Sequence, residues 1–221
     1  DADDKPYGKG NENVAFIIDL MENSFAGKKN YRGGRYRVGY WTMTNHAGFG
    51  RMMGASPSGR MDRDNFTSGI TPVSGVTPCL TETLNSVAGM PTGNVTSGMA
   101  FNIKYTPPRL KKELPAMVDT FSEYMKGYFR DRKVNGKIKP GGMEIQFNVT
   151  DRAKFRKAVD KPEKYPELLV RVSGYTAYFK DLNPQMQMEI VNRTEYDLKS
   201  DKAVPYEPYE LPRKERCPIK L

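Results

Sequence analysis

The stretch RVSGYTAYF, residues 171–179, places a glycine in the middle of residues that otherwise favour a β-strand. Valine, threonine, tyrosine and phenylalanine are common in strands, whereas glycine is depleted there. A glycine within a strand loses more conformational freedom than any other residue and adds no side chain to the packing. It therefore indicates a bulge, a bend or a close approach of another group. Taken alone, Gly174 predicts a bulge in a core strand.

The composition is that of a globular protein of one or two domains. Apolar residues make up 38% of the 221 residues, and a chain of this length buries roughly 70% of its unfolded surface. The 35 lysines and arginines exceed the 26 acidic residues and give a formal net charge of +9. The basic runs, such as residues 28–37 and 130–139, alternate with acidic, aromatic or turn residues and are interpreted as solvated loops and faces. We therefore expect no nucleic-acid partner.

Ordinary polar catalysis and metal binding have little support. His46 is the only histidine, and its neighbours predict a loop and a hydrogen-bonded structural role. Cys79 and Cys217 form no C-x-x-C motif, so we expect neither a disulfide framework nor a metal site. Cys79 lies at a predicted helix start, where the pKa of a thiol can fall, but a small buried residue is the favoured interpretation. The absence of a signal peptide and of an apolar run of roughly 20 residues predicts a soluble cytoplasmic protein, without a membrane partner.

Helix and strand patterns alternate along the chain and predict an α/β fold with a largely parallel sheet or part of a barrel. Helices are predicted at residues 14–27, 77–89, 113–129, 151–159 and 183–198. Strands are predicted at residues 37–42, 70–74, 99–105, 143–149 and 168–172. Residues 43–68 show no period and predict a loop. After Ser200 the prolines predict an extended tail without regular structure.

Three of these elements have an apolar stripe that predicts which face is buried. In the first helix the stripe consists of Val14, Ile17, Ile18, Met21 and Phe25. In the strand at 99–105 the apolar residues alternate with Ala100, Asn102 and Lys104. In the strand at 143–149 the alternating apolar residues are Met143, Ile145, Phe147 and Val149. Period-two alternation predicts strands with one buried and one solvated face.

The extended motif around Gly174 resembles the signature of the glycyl radical enzymes. The matching residues are Arg171, Val172, Ser173, Gly174, Tyr175, Ala177 and Phe179. The sequences GGMEIQFNV (141–149) and DLNPQMQMEIVNRTEY (181–196) are similar to the family's strand before the radical loop and the helix after it. GASPSGR (54–60) and SGITPVSG (68–75) resemble the last segments of the family's barrel. The resemblance covers the chain from about residue 38 to 198.

The resemblance implies an α/β architecture with three parts. These are the C-terminal part of a glycyl-radical-enzyme barrel at 1–106, a glycyl radical domain at 107–200 and an extended tail at 201–221. The chain begins with Asp1 rather than methionine, which suggests a fragment, a processed chain or a trimmed one. The upstream barrel portion of the same enzyme is therefore an expected partner.

The resemblance also implies that Gly174 carries a stored radical. In the family, an activating enzyme with an iron–sulfur cluster and S-adenosylmethionine removes a hydrogen atom from the glycine, so we expect this partner and no cofactor bound by the chain itself. The radical is delocalised into both neighbouring amides, and a β-carbon would crowd the planar centre. The family passes the radical to a cysteine far upstream, a position that neither Cys79 nor Cys217 matches. The chain thus resembles part of a radical enzyme and not a complete catalyst.

Residues 38–60 and 68–91 look most like the X-succinate synthases, which add hydrocarbons across the double bond of fumarate. This resemblance implies a hydrocarbon and fumarate as substrates and possible small accessory subunits. Ile70, Pro72 and Val73 are predicted to line a hydrophobic substrate pocket, with plain core packing as the alternative. Two other functions stay open. One is a stand-alone radical module, like the small proteins that replace a damaged segment of pyruvate formate-lyase. The other is a glycyl radical enzyme of formate-lyase, dehydratase or decarboxylase type.

Overall fold

The computed structural model of the chain describes residues 9–209 except 94, 107, 109 and 135, and it does not describe the side chains of 9–11 and 134. Cys217 and the prolines at 212 and 218 of the predicted tail lie outside the described residues. The helices are α1 (Lys9–Phe25), α2 (Asn45–Met52), α3 (Leu80–Ala88), α4 (Leu114–Phe129), α5 (Arg152–Asp160) and α6 (Pro184–Asn192). The strands are β1 (Val38–Tyr40), β2 (Val95–Met99), β3 (Asn102–Tyr105), β4 (Arg132–Val134), β5 (Lys137–Lys139), β6 (Gln146–Val149), β7 (Leu169–Arg171), β8 (Thr176–Tyr178) and β9 (Glu195–Tyr196).

The strands form two parallel assemblies and two antiparallel hairpins. A three-stranded parallel sheet has the order β6-β3-β9, and β1 pairs with β2 in parallel. The hairpins are β4–β5 and β7–β8. The prediction of a mixed α/β fold with parallel pairing is confirmed at this level. The barrel, the separate radical domain and the boundary at residue 106 stay predictions, and strands from both sides of that boundary share the three-stranded sheet.

Local capping signals place two helix starts as predicted. The side chain of Asp151 accepts a hydrogen bond from the backbone N–H of Ala153 at 2.8 Å and begins α5. Asn183 accepts from the N–H of Met186 at 2.9 Å and begins α6, with Pro184 at the first turn. Such caps satisfy N–H groups that have no partner within the helix.

Other boundaries differ from the prediction. The helix predicted from residue 77 begins at Leu80, because Cys79 supplies the cap: its Sγ accepts from the N–H of Glu82 at 3.4 Å. Helix α6 ends at Asn192 instead of continuing to Leu198, since Glu195 and Tyr196 form β9. The strand predicted at 99–105 is split into β2 and β3.

Two predicted segments are wrong in type. Residues 43–68 include helix α2, which the mixture of Gly, Met and Asn obscured. Residues 70–74 form no strand; they run as irregular chain and turn, and Ile70 donates its N–H to the carbonyl of Ala100 at 2.9 Å. The predicted tail begins with ordered contacts, because Lys202 and Ala203 form isolated bridges to Cys79 and Tyr196.

The buried apolar residues form two clusters. The hairpin core surrounds β7 and β8 and consists of Ala47, Phe155, Ala158, Leu168, Val170, Val172, Phe179, Met186, Met188, Ile190 and Val191. The sheet core lies between the three-stranded sheet and helices α3 and α4 and consists of Leu80, Leu84, Val87, Ala88, Phe101, Ile103, Tyr105, Tyr128, Tyr196 and Leu198. The hairpin that contains Gly174 therefore rests on its own core.

Strand β3 is buried on both faces, which the predicted alternation did not indicate. Asn102 and Lys104 are 3% and 0% exposed. The Nζ of Lys104 donates to the carbonyl of Val191 at 2.7 Å and lies 3.9 Å from a carboxylate oxygen of Glu195. Burial outweighs this carboxylate and lowers the pKa of Lys104 to about 7. Both faces of β3 are covered, because Ile103 and Tyr105 lie in the sheet core and Lys104 on the other face contacts α6.

The apolar stripe predicted for α1 is largely exposed. Ile18 is buried and packs near β1, where the Tyr40 hydroxyl donates to its carbonyl at 3.4 Å. Ile17, Met21 and Phe25 lie on the exposed side instead. The described helices also include none long and apolar enough to cross a membrane.

Candidate functional site

Gly174 lies at the tip of a hairpin and not within a strand. Strands β7 and β8 pair from Leu169 with Tyr178 to Arg171 with Thr176, and the chain reverses between them. The N–H of Val172 donates to the carbonyl of Tyr175 at 2.9 Å and closes the turn. Gly174 has a φ of +85°, in the left-handed region that glycine adopts at little cost. The predicted bulge is therefore a turn, and the backbone conformation alone already requires glycine.

The α-carbon of Gly174 is open to its surroundings. The residue is exposed, and a Cβ added there would meet no heavy atom of the described residues within 4 Å. The glycine is thus not selected by lack of space. Its backbone N–H is nevertheless engaged, because it donates to the side-chain Oε1 of Gln146 at 3.0 Å. The site combines an accessible α-carbon with a fixed amide.

Strand β6 provides the side chains that bind the hairpin. Gln146 Oε1 also accepts from Nε of Arg171 at 3.0 Å. Asn148 makes two bonds to the backbone of Arg171: its Oδ1 accepts from the N–H and its Nδ2 donates to the carbonyl, both at 2.8 Å. Strands β6 and β7 are neighbours, and these side chains connect them in place of a backbone ladder.

The apolar face of β6 is partly covered as predicted, since Phe147 packs against the sheet core, but the polar face is buried as well. Gln146 and Asn148 are 6% and 5% exposed, whereas Val149, predicted to be buried, is 44% exposed. The polar face of this strand points inward because the hairpin backbone supplies its hydrogen-bond partners.

Arg193, directly after α6, anchors the hairpin from the other side. Its Nη1 donates to the carbonyl of Arg171 at 3.0 Å and its Nη2 to the carbonyl of Val172 at 2.6 Å. The same guanidinium forms a two-bond pair with the carboxylate of Glu189, at 3.0 and 2.8 Å. Burial opposes ionisation of Glu189, but Arg193 and His46 outweigh it and lower the pKa of the carboxyl to about 2. The pair is a charged support beneath the turn.

His46 belongs to this support and not to a loop. It lies on α2 with 1% of its surface exposed. Its Nδ1 is 3.0 Å from the hydroxyl of Thr42, and its Nε2 is 3.7 Å from a carboxylate oxygen of Glu189. The structural role predicted for His46 agrees with this placement, whereas the predicted loop is wrong.

The remaining motif residues are buried or pack against the hairpin core. Val172 and Phe179 are buried in the hairpin core, and Tyr175 and Ala177 pack against it. Ser173 is fully buried, and its Oγ has no hydrogen-bond partner among the described residues. The structure thus brings the whole predicted motif together in one hairpin and its core.

The predicted pocket residues are placed differently. Ile70 packs against the sheet core, Pro72 is half-buried and Val73 is 57% exposed. The strand on which their prediction depended is absent, so their role as a pocket wall stays a prediction. Two residues earlier, Ser68 donates to the carbonyl of Val172 at 3.5 Å and so connects this segment to the hairpin.

The pKa of the Cys79 thiol is not lowered, which was the alternative to the favoured interpretation as a small buried residue. Burial raises the pKa of its thiol, and the N–H of Glu82 only partly opposes this effect. The helix start therefore does not activate Cys79 as a nucleophile. Among the described residues, no group of three or more His, Cys, Asp and Glu side chains is arranged to hold a metal ion.

Sequence analysis missed the residues that bind the hairpin: Ser68, Gln146, Asn148, Glu189 and Arg193. Two signals were present. Gln146 and Asn148 are polar residues two apart within an apolar strand, which places both on one face. Glu189 and Arg193 are spaced by four residues, as paired charges on a helix are. The involvement of Ser68 and His46 has no comparable local signal.

The comparisons with known proteins agree with this site. The sequence profile of the family described as glycine radical matches residues 66–180, just over half of the chain. The chain belongs to the glycyl radical family.

The relatives carry out different reactions. Trans-4-hydroxy-L-proline dehydratase of Clostridioides difficile is 33% identical over 180 residues, which cover 81% of this chain and 21% of the dehydratase. The PFL-like enzyme TdcE of Escherichia coli K12 is 30% identical over 193 residues, covering 85% of this chain and 25% of that enzyme. The crystal structure of a glycyl radical enzyme from Archaeoglobus fulgidus has a TM-score of 0.71 at 28% identity, covering 83% of this chain and 22% of that one. The chain therefore spans a quarter or less of the length of these relatives.

Proposed function

We propose that the chain stores a radical on Gly174 for a glycyl radical enzyme. The observation that carries the proposal is the structure of the hairpin tip. The α-carbon of the glycine is exposed, and the hairpin backbone is bound by Gln146, Asn148 and Arg193. An activating enzyme needs access to the α-carbon, and the exposed turn offers it. The stored radical needs a defined backbone, and the buried side chains beneath the turn supply it.

The chemistry at Gly174 is the loss of one hydrogen atom. The activating enzyme, using S-adenosylmethionine and its iron–sulfur cluster, takes this atom from the α-carbon, and the unpaired electron is shared with the two flanking amides. The contribution of the described residues is to position the glycine, since the radical carries the difficult chemistry. Arg193 binds the carbonyls that precede the turn, so the hairpin stays seated while its tip reacts.

For the complete enzyme we propose the addition of a hydrocarbon to fumarate. The support is the resemblance of residues 38–60 and 68–91 to the X-succinate synthases. A cysteine outside this chain passes its hydrogen atom to the Gly174 radical; the resulting thiyl radical takes a hydrogen atom from the hydrocarbon. The carbon radical adds to the double bond of fumarate, and the cysteine returns the hydrogen atom to the adduct. Ile70, Pro72 and Val73 are proposed to border the hydrocarbon site. Small accessory subunits and a cytoplasmic location stay predictions.

A second candidate function has a specific basis in the comparisons. The relatives reported above are a dehydratase and a PFL-like enzyme, and an indoleacetate decarboxylase is 30% identical over 168 residues. A dehydratase, decarboxylase or formate-lyase reaction would use the same radical on Gly174 with a different substrate. A stand-alone radical module would carry the radical without substrate chemistry of its own.

The radical site is tested by activation in the absence of oxygen. The chain is incubated with a cognate activating enzyme and S-adenosylmethionine, and its electron paramagnetic resonance spectrum is recorded. We expect a doublet from coupling to the remaining α-hydrogen, lost in Gly174→Ala. Exposure to oxygen should then cut the backbone at Gly174. Absence of the doublet, with an activating enzyme that works on another protein, would contradict the proposed storage on this chain.

The reaction is tested with the enzyme encoded by the complete reading frame. The activated enzyme is supplied with fumarate and an alkane or alkylbenzene, and in parallel with a diol, hydroxyproline or pyruvate with coenzyme A. Formation of a substituted succinate supports the fumarate-adding function. Turnover of one of the other substrates instead would replace it with the second candidate and leave the radical site intact.

A further inference from the structure

Among the described residues, the side chain of Gln146 is the hydrogen-bond acceptor of the Gly174 amide, which would share the radical. Its Oε1 accepts from the N–H of Gly174 and from Nε of Arg171, both at 3.0 Å. The Oε1 atom of Gln146 therefore accepts two hydrogen bonds from the hairpin, and the side chain is 6% exposed.

The other hairpin contacts fall on residues before the glycine. Asn148 binds the backbone of Arg171, and Arg193 binds the carbonyls of Arg171 and Val172. These bonds fix where the hairpin sits. Gln146 reaches two residues further, to the peptide group between Ser173 and Gly174. Asn148 and Arg193 therefore fix where the hairpin lies, whereas Gln146 contacts the amide that orients the glycine.

The orientation of that peptide group matters for a radical. The unpaired electron spreads into an amide only when the amide lies in the plane of the trivalent carbon, which requires an extended backbone at Gly174. The structure has φ at +85°, where the preceding amide lies far out of that plane. A flexible side-chain acceptor can follow the N–H as the backbone flattens, whereas a backbone acceptor in a ladder cannot. Without this acceptor the N–H of Gly174 would hydrogen-bond to water, because the tip of the hairpin is exposed.

We propose that Gln146 is a positioning residue that sets the orientation of the Ser173–Gly174 amide and so the distribution of the unpaired electron. The inference rests on the proposed storage of a radical at Gly174. It goes further by assigning to one side chain a control over the radical's electronic structure. It predicts that loss of the Gln146 amide group alters the Gly174 amide, whereas the same loss at Gln185, which binds the carbonyl of Ala47, does not.

The first test needs no radical. Hydrogen–deuterium exchange of the Gly174 amide is followed by nuclear magnetic resonance in the unactivated chain. We expect exchange at least tenfold faster in Gln146→Leu than in the wild type. Gln185→Leu, the matched control, removes the same amide group from a residue that donates to the carbonyl of Ala47 and not to the hairpin, and should keep the protection of Gly174 within about twofold. Equal exchange in the wild type and Gln146→Leu would overturn the inference.

The second test uses the activated chain with nitrogen-15 at glycine. We expect the nitrogen coupling and the doublet line shape to differ between Gln146→Leu and the wild type, and to be unchanged in Gln185→Leu. If Gln146→Leu does not fold, Gln146→Asn, one methylene shorter, provides the same comparison. A doublet in the wild type with an identical line shape in the Gln146 variants would contradict the inference about Gln146 but not the proposed radical site. No doublet in the wild type would refute the proposed function instead, and the exchange result would still stand as a test of the contact.

Discussion

The two hairpins of the molecule both have a glycine of positive φ in the turn, and they differ in the side chains that bind the hairpin backbone. Both β4–β5 and β7–β8 are antiparallel, and each has a glycine of positive φ in its turn, +78° at Gly136 and +85° at Gly174. A Cβ added at either glycine would meet no heavy atom of the described residues within 4 Å. On steric grounds alone the two glycines are equivalent.

The difference lies beneath the turns. The β4–β5 hairpin is exposed, with Ile138 at 75%, while Val170 at the centre of β7 is 1% exposed. Three buried side chains from other elements bind the backbone of the β7–β8 hairpin, and a charged pair supports it. A left-handed glycine therefore indicates a turn, and the polar groups collected around it indicate a functional site.

The sharpest way to break the comparison is to replace each glycine by alanine. Both variants should lose a similar amount of stability, about 1–2 kcal/mol, because the left-handed conformation crowds a Cβ in either turn. Only Gly174→Ala should lose the radical doublet; Gly136→Ala should keep it in full. Urea unfolding and paramagnetic resonance on the same preparations measure the two effects. A doublet surviving in Gly174→Ala would move the radical to another residue.

Removal of the arginine under the functional hairpin should have the largest effect on stability. Arg193→Met leaves the carboxylate of Glu189 and two backbone carbonyls buried without their donor, and we expect a loss of about 3–5 kcal/mol. Arg132→Met in the other hairpin removes a bond to Asn85 and should cost about 1 kcal/mol. Denaturant unfolding compares the two. Equal losses would mean that the charged pair does not support the turn.

The ion pair of Glu189 and Arg193 predicts that the free energy of unfolding falls at acidic pH. The pKa of Glu189 falls from its usual 4.5 to about 2 in the folded chain. A lowered carboxyl pKa contributes stability that is fully present above pH 4.5 and is lost as the pH falls toward 2. The contribution is on the order of 3 kcal/mol, and Glu189→Gln should remove this part of the pH dependence. Unfolding measured from pH 6 to 2.5 gives the two slopes; parallel slopes would assign the acid sensitivity to other carboxyls.

The sequence allowed the helices with caps to be predicted, whereas the radical on Gly174 stays a prediction. Asp151 and Asn183 mark helix starts because a cap is a local interaction between neighbours in the chain. The supports of Gly174 were missed because they form between distant residues: Gln146 and the glycine are 28 apart in sequence, and Ser68 and Val172 are 104 apart. Alternation in β6 predicted one buried face, but both are covered, because Phe147 packs against the sheet core while the hairpin binds Gln146 and Asn148.

The last comparison, which includes the smallest expected change in stability, tests whether burial in the hairpin core distinguishes the β7–β8 hairpin from the β4–β5 hairpin. Val170→Ala removes a fully buried side chain from the hairpin core and should cost about 1–3 kcal/mol. Ile138→Ala, at the corresponding central position of the other hairpin, should change stability by about 0.5 kcal/mol or less because the side chain is already in water. Urea unfolding measures both. A substantial loss in Ile138→Ala would mean that this exposed strand is covered by another part of the protein, and that the two hairpins differ in their partners and not in their burial.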